Sequence, residues 1–426
     1  MSILILVGGL IFFLILGIPI SFSLLLTSLA LILYEGSLPL LIIAQRLSNS
    51  LDSFPLLAIP LFILAAEIMN VSGATERIFK LANALVGHIT GGLAHVNVLA
   101  SMLFSGMSGS AVADASGLGM IEIKAMNDQG YSKSFSAAVT AASSTIGPII
   151  PPSVPMVIYG VISGTSIGAL FLAGAVPGVI MGIAMMIIIY FIARKHELNI
   201  KSKWPGWRKL SKIVLESFPA MLLPVIILGG IWGGVFSPTE AASVAVFYSL
   251  FLGIFIYRNI KIKEVPRIFI EAGHTTASIM LIVAAASLYG WLVSVEQIPQ
   301  IIQQGLLSIS QSPIILMLII NVILLIMGMF MELIAILTIA VPVFLPVLTA
   351  LGIDPVFFGV IAVLNLMIGL LTPPFGLNIF IVQKISSAPF AAIIRETIPF
   401  IIVLVCTLLL LVFFPNIVMW LPNLLL

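Results

Sequence analysis

The segment IIVLVCTLLLLVFF, residues 401–414, carries no charge and no alternation of apolar with polar residues. Runs of this kind recur along the whole chain, which is 61% hydrophobic and only 8% charged. Soluble domains carry about 25% charged residues, so this chain cannot cover its apolar surface in water and belongs in a lipid bilayer. A membrane β-barrel alternates apolar and polar positions, so continuous runs mean helical spans and an all-α polytopic membrane protein. A net charge of +2 points to no nucleic acid partner. The one cysteine, Cys406, can form no internal disulfide. The start, MSILILVGGLIFFLILGIPI, has no basic leader and no small-residue cleavage site, and reads as a first span rather than a removed signal.

Spans are expected at 3–17, 20–34, 54–71, 133–163, 168–193, 213–235, 239–257, 275–295, 355–384 and 397–421. Two segments between them, 91–126 and 312–352, each hold two shorter apolar runs around a glycine-bearing break. The run 92–105 rises about 21 Å at 1.5 Å per residue, short of the roughly 30 Å hydrocarbon core. Each segment therefore reads as a re-entrant hairpin, which survives at depth only when buried in protein or lining a wet cavity. With the N-terminus outside and two hairpins, Arg77, Lys80, Lys124, Lys133, Arg194 to Lys212, Arg258 to Arg267, Lys384 and Arg395 all fall on the cytoplasmic side. Arg46 alone falls outside, and both termini are periplasmic.

A shift of 222 residues lays IGPIIPP (146–152) on IGLLTPP (368–374), Gly106-Met107 on Gly328-Met329, and Pro177 on Pro399, without a gap. Two repeats follow, 1–200 and 213–426, joined by a basic cytoplasmic linker at 201–212. Each has five crossings, one hairpin and one proline-broken helix. Five is odd, so the repeats have inverted topology, the pattern of secondary transporters with a site at the repeat interface.

The prolines carry the chemistry. Pro151 and Pro152 deprive the carbonyls of Gly147 and Pro148 of helical donors, and Pro373 and Pro374 do the same to Gly369 and Leu370. Such carbonyls are costly at membrane depth unless something binds them, and a sodium ion does. A packing kink, with the carbonyls taken by Ser or Thr hydroxyls, is the competing reading; duplication of Pro-Pro at matching sites favours the ion. One sodium site is expected from Ser105, Gly106 and Gly109 with Gly147 and Pro148. The other is expected from Gly328 and Met331 with Gly369, Leu370 and Thr372.

The hairpin tips, FSGMSGSAVADASG and GMFMELIA, supply the substrate site. Glycines let the backbone approach a ligand, and a half-helix starting near Ser110 aims N–H groups at a substrate carboxylate. Ser108, Ser110 and Glu332, with Ser153 and Asn378 beyond the breaks, are the candidate substrate contacts; for the serines, small-residue helix packing is the alternative. Glu240 reads as the N3 residue of a capping box begun by Ser237. Asp114 fits a structural or a functional role equally, and Glu67 has no assigned one. The segment 260–273 is amphipathic and reads as lying along the inner surface. GMSG offers an intramembrane serine protease as an alternative, but no histidine falls on a later mid-membrane helix facing that tip, and Phe330 stands at the repeat position of Ser108. The chain reads as no enzyme.

The two broken helices, IGPIIPPSVPM and IGLLTPPFGLN, and the tip SGMSGSAVADASG resemble the large membrane subunit of a tripartite ATP-independent periplasmic (TRAP) transporter over essentially the whole chain. The stretch through GLGMIEIKAM leans to the sialic-acid branch. The resemblance implies a sodium-driven importer of an acidic solute in a bacterial inner membrane, sialic acid first and a C4-dicarboxylate next. It implies an elevator-type transport domain moving against a scaffold, a small four-helix (Q-type) membrane subunit and a soluble periplasmic substrate-binding protein as partners, and Na+ as coupling ion with no prosthetic group. It places the tips at Ser105 to Ser110 and Gly328 to Glu332, and the breaks at Gly147 to Ser153 and Gly369 to Asn378. A stand-alone sodium-coupled anion carrier of similar architecture is the alternative.

Overall fold

Helices form every regular element of the computed structural model, which describes residues 1–195 and 204–426. Residues 196–203 of the basic linker, His196 among them, lie outside the described residues. Eight of the described helices are long and apolar enough to cross a bilayer. The expected spans 133–163 and 355–384 are each split, into Lys133–Ser144 and Val154–Ser163, and into Pro355–Gly369 and Leu377–Ser386. The repeat offset recurs in the helix boundaries. Ala74–Val86 and Ile298–Ile309, Gly92–Ser108 and Pro313–Phe330, and Ile167–Lys195 and Phe390–Phe413 each begin within two residues of a 222-residue shift, as do the split pairs. Pro177 and Pro399 both sit inside their helices.

One pair breaks the correspondence. In the first half Leu41–Leu51 ends before a short 3-10 turn, Phe54–Leu57, that leads into Ala58–Val71. In the second half the matching stretch is a single 31-residue helix, Val265–Val295. Pro55 explains the difference: it has no N–H for Leu51 O and its ring clashes with that carbonyl, so a helix cannot run on through it, and the chain opens at Ser53 with φ −138° and ψ 122°. Its counterpart 222 residues on is Ala277, which leaves the helix intact. The segment 260–273 is thus no separate surface strip; from Val265 onward it is the first part of a helix about 46 Å long.

The hairpins differ from expectation in their arms. The first rises through Gly92–Ser108 and returns through Ala111–Ser116 and Leu118–Asp128; the second rises through Pro313–Phe330 and returns through Leu333–Ala350. At 17 and 18 residues the rising arms reach about 26 and 27 Å, close to a full span rather than half of one. Ser105, Gly106 and Gly328 therefore lie in the last helical turn, and the connections shrink to Gly109–Ser110 and Met331–Glu332. In each half the two arms pack on each other, and the rising arm packs on the first piece of the split helix.

Buried amides fasten those last contacts. Asn97 Nδ2 donates to Thr140 Oγ1 at 2.7 Å, and Ser143 Oγ donates to Asn97 Oδ1 at 2.6 Å. In the second half Asn365 Nδ2 donates to Asn321 Oδ1 at 2.7 Å and to its carbonyl at 2.8 Å. Ser143 and Asn365 are repeat partners, so the same position clamps hairpin to split helix twice. The halves are also tied to each other: Tyr159 Oη donates to Pro355 O at 2.6 Å, and Asn378 Nδ2 to Ser144 Oγ at 3.0 Å. At Ser237 the expected capping box is present, with both reciprocal bonds to Glu240 formed.

Candidate functional site

Each break is a short unwound stretch between helix pieces. The Pro151-Pro152 and Pro373-Pro374 peptide bonds are both cis. After the first, Ser153 restarts the helix as N-cap: its hydroxyl accepts from Met156 N at 3.2 Å and donates to Pro148 O. After the second, Gly376 restarts it in the left-handed region, at φ 51°. The carbonyls are less bare than proline placement implies. Gly369 O accepts from Thr372 N at 3.0 Å and Leu370 O from Asn378 N at 3.3 Å; among the described residues only Gly147 O of the four has no donor. Turn closure and the Ser153 hydroxyl take over where the helical ladder stops, and each such oxygen keeps a second lone pair.

The tips press into these breaks. Gly109 closes the first rising arm at φ 56°, its N–H donating to Ser105 O at 3.2 Å. A Cβ there would sit 2.5 Å from Pro152 O, so glycine is required by conformation and by space alike. Ser110 lies beside Gly147, and Gly106 packs on the Pro224 ring. Ser105 donates its hydroxyl to Ser101 O at 2.5 Å. At the second tip Gly328 and Gly369 meet backbone to backbone, and the Phe330 and Phe375 rings pack edge to face at 5.9 Å. Met331 is extended, its N–H on Met327 O, and the Thr372 hydroxyl donates to Ile368 O at 2.8 Å. Tip thus meets break at Gly109 against Pro152 and Ser153, at Ser110 against Gly147, and at Gly328 against Gly369.

Between the two tips lies a cavity of about 370 Å³. Ser108, Ser110 and Glu332 line it, as do Pro148 and Leu370 at the breaks. Ser108 Oγ and Glu332 Oε2 are buried without a hydrogen-bond partner, so both are available to a ligand. Ser110 and Glu332 stand 222 residues apart, each as the extended N-cap of a returning arm, and Ser110 Oγ accepts from Ala113 N at 3.4 Å. The helix that Ser110 caps spans only six residues before Gly117 turns the chain, so the hydroxyls rather than a long helix axis define this wall. Ser153 and Asn378 do not line the cavity; both are fully buried, Ser153 in its cap and Asn378 on Ser144. The Ser153 hydroxyl is taken up at the break as donor and acceptor, whereas Asn378 engages only its Nδ2 there and keeps a buried Oδ1 without a partner, outside the cavity wall.

The opposite wall escaped sequence reasoning. It comes from Ala58–Val71 and Val265–Val295, which bring Ile63, Glu67, Thr275 and Ile279 to the cavity. The one available signal was Glu67, a carboxylate in an otherwise apolar span. Among the lining residues two are acidic and none is Lys or Arg. At the volume of an ordinary small-molecule site, the cavity suits a compact polar solute.

The chain matches, over residues 7–417, the family model described as tripartite ATP-independent periplasmic transporter, DctM component. It is 47% identical over 408 residues to the sialic acid TRAP transporter large permease protein SiaM of Vibrio cholerae, covering 96% of this chain and 95% of that protein. It is 41% identical to the sialic acid TRAP transporter permease protein SiaT of Haemophilus influenzae, over 96% of this chain and 66% of the longer relative. To the C4-dicarboxylate TRAP transporter large permease protein DctM of Pseudomonas aeruginosa it is 40% identical, over 89% of both. Among solved structures the Alcanivorax borkumensis YdaH transporter shares the fold, with a TM-score of 0.59 at 15% identity over 88% of each chain. These are permeases rather than catalysts, and the chain belongs to the DctM component family of the tripartite ATP-independent periplasmic transporters.

Proposed function

We propose that this subunit imports an acidic, hydroxyl-bearing solute, sialic acid before a C4-dicarboxylate, by secondary transport coupled to sodium. The observation that carries the reading is the charge of the cavity: Glu67 and Glu332 line it, and among the described residues no basic side chain does. An anion entering a low-dielectric site beside two carboxylates is repelled unless cations bind with it. The tip–break contacts put backbone oxygens at Gly147 and Pro148, and at Gly369 and Leu370, next to the cavity wall, where sodium would sit and offset that charge. Ser108 and Ser110 then offer hydroxyl donors to the solute carboxylate, and Glu332 accepts from solute hydroxyl or amide groups. A sialic acid uses both kinds of group; a bare dicarboxylate meets only repulsion at Glu332. The relatives named for sialic acid support this ordering.

The same walls suggest the motion. Tips and breaks form one packed unit, and Ala58–Val71 with Val265–Val295 form the face opposite it. The two halves act as inverted repeats: the tip–break unit is the moving part of an elevator, and the opposite helices belong to the scaffold. Basic residues concentrated at 194–212 and 258–267 support a cytoplasmic position for those segments and a periplasmic one for both termini in a bacterial inner membrane. A small membrane subunit and a soluble periplasmic binding protein complete the system. The test is uptake of labelled sialic acid into liposomes holding this chain and the small subunit, with the binding protein outside and a sodium gradient. Uptake should need the binding protein and be competed by sialic acid far better than by succinate. Equal competition by succinate would overturn the solute assignment, and full uptake without the binding protein would establish a stand-alone carrier.

A further inference from the structure

A second cavity, of about 290 Å³, lies farther along the helix Val265–Val295. Thr275 and Ile279 face the first cavity; Val283, Ser287, Gly290 and Ser294 face the second. The spacings of four, four, four, three and four residues put all six on one helix face. From Thr275 to Ser294 this stripe rises about 28 Å, nearly the thickness of the hydrocarbon core. The end of the helix beside the first cavity follows Arg258, Lys261 and Lys263 and carries Arg267, which marks it as cytoplasmic, so the second cavity faces the side of solute arrival.

Among the described residues its lining carries no acidic side chain, and Arg46, though not itself on the wall, stands at its edge. Arg46 holds its guanidinium 4.5 Å above the ring of Trp291, which lines the cavity, and forms no ion pair among the described residues. Ser50, Ser294 and Thr338, also on the wall, donate their protons to the carbonyls of Leu47, Gly290 and Ile334, so they present lone pairs inward. We infer that this cavity is an outer station for the solute, where Arg46 takes the carboxylate and the three hydroxyl oxygens accept from solute hydroxyls before the tip–break unit, moving along the helix face, takes it up. The inference rests on the import of an acidic solute proposed above. It assigns the basic charge missing from the inner cavity to the entrance, where a guanidinium collects anions without trapping them at depth.

The test uses the reconstituted three-component system and compares Arg46→Gln and Arg46→Lys with wild type. Arg46→Gln should raise the KM for sialic acid about three- to tenfold, as expected for a partly solvated charge-assisted contact, leave the maximal rate within twofold, and flatten the rise of KM with salt. Arg46→Lys should recover most of the loss. Binding of the periplasmic protein, measured separately, should be unchanged. A wild-type KM and salt response in Arg46→Gln, or a KM change matched by weakened docking of the binding protein, would overturn the outer station. Failure of the wild type itself to take up any acidic solute would instead overturn the proposed function.

Discussion

Replacing Gly369 by Ala sets two effects of opposite sign against each other. The residue ends the helix Pro355–Gly369 in helical conformation, so propensity alone favours Ala by up to about 1 kcal/mol, less at a terminus. The added Cβ, however, would lie 2.7 Å from Gly328 Cα, 2.8 Å from its carbonyl carbon and 3.1 Å from its oxygen. Carbon atoms prefer about 3.5–4.0 Å, so tip and break must separate by nearly an ångström, and no flexible side chain is there to yield. Overpacking of this kind costs about 1–3 kcal/mol, which outweighs the propensity gain and leaves a net loss of about 1–2 kcal/mol. Where ion binding requires tip and break closed, that loss appears as about a 5- to 30-fold rise in sodium half-saturation. Thermal unfolding of the purified variant with and without sodium, together with sodium titration of uptake, measures both. Gly273→Ala is the control, because no atom lies within 4 Å of its Cβ position. A Gly369→Ala protein that melts higher than wild type and keeps its sodium affinity would refute the contact between second tip and second break.

Further outcomes are expected. Ser108→Ala, which removes an unpartnered hydroxyl, should lower solute affinity about tenfold with little change in unfolding temperature, whereas Ser153→Ala should lower the unfolding temperature, because it loses a cap worth about 1 kcal/mol and uncovers Pro148 O. Glu332→Ala should cut sialic acid transport about ten- to a hundredfold, the loss of one charge-assisted hydrogen bond, in a protein that still folds. Asn365→Ala strands the buried Asn321 amide and should destabilise by about 1–3 kcal/mol, seen as a lower melting point. Lys209→Cys in a Cys406→Ser background should react with an impermeant thiol reagent only from the cytoplasmic face; labelling only from outside would reverse the topology.

The features written into backbone chemistry were legible in the sequence. Pro-Pro pairs at a fixed offset located both breaks, glycines located both tips, and the tips do meet the breaks at Gly109 and at Gly328. What a side chain does with a polar atom was less legible. Ser153 and Asn378 look like binding residues in the sequence, yet one caps a helix and the other holds Ser144, because a helix restart and a junction between halves need the same donors and acceptors that a ligand does. Thr275 and Ile279 were out of reach, since only packing of two distant helices turns that face to the cavity. The fused Val265–Val295 helix was readable in principle, from the absence of a proline at the position matching Pro55.

The central claim is that cations accompany the anion into a cavity whose charged lining side chains, among the described residues, are all acidic. Sialic acid uptake into liposomes, measured against external sodium at fixed pH and saturating binding protein, tests it most directly. The account predicts a sigmoidal rise with a Hill coefficient above one, reflecting two ion sites, and no uptake when sodium is replaced by potassium. Full uptake driven by a proton gradient in sodium-free buffer would contradict it.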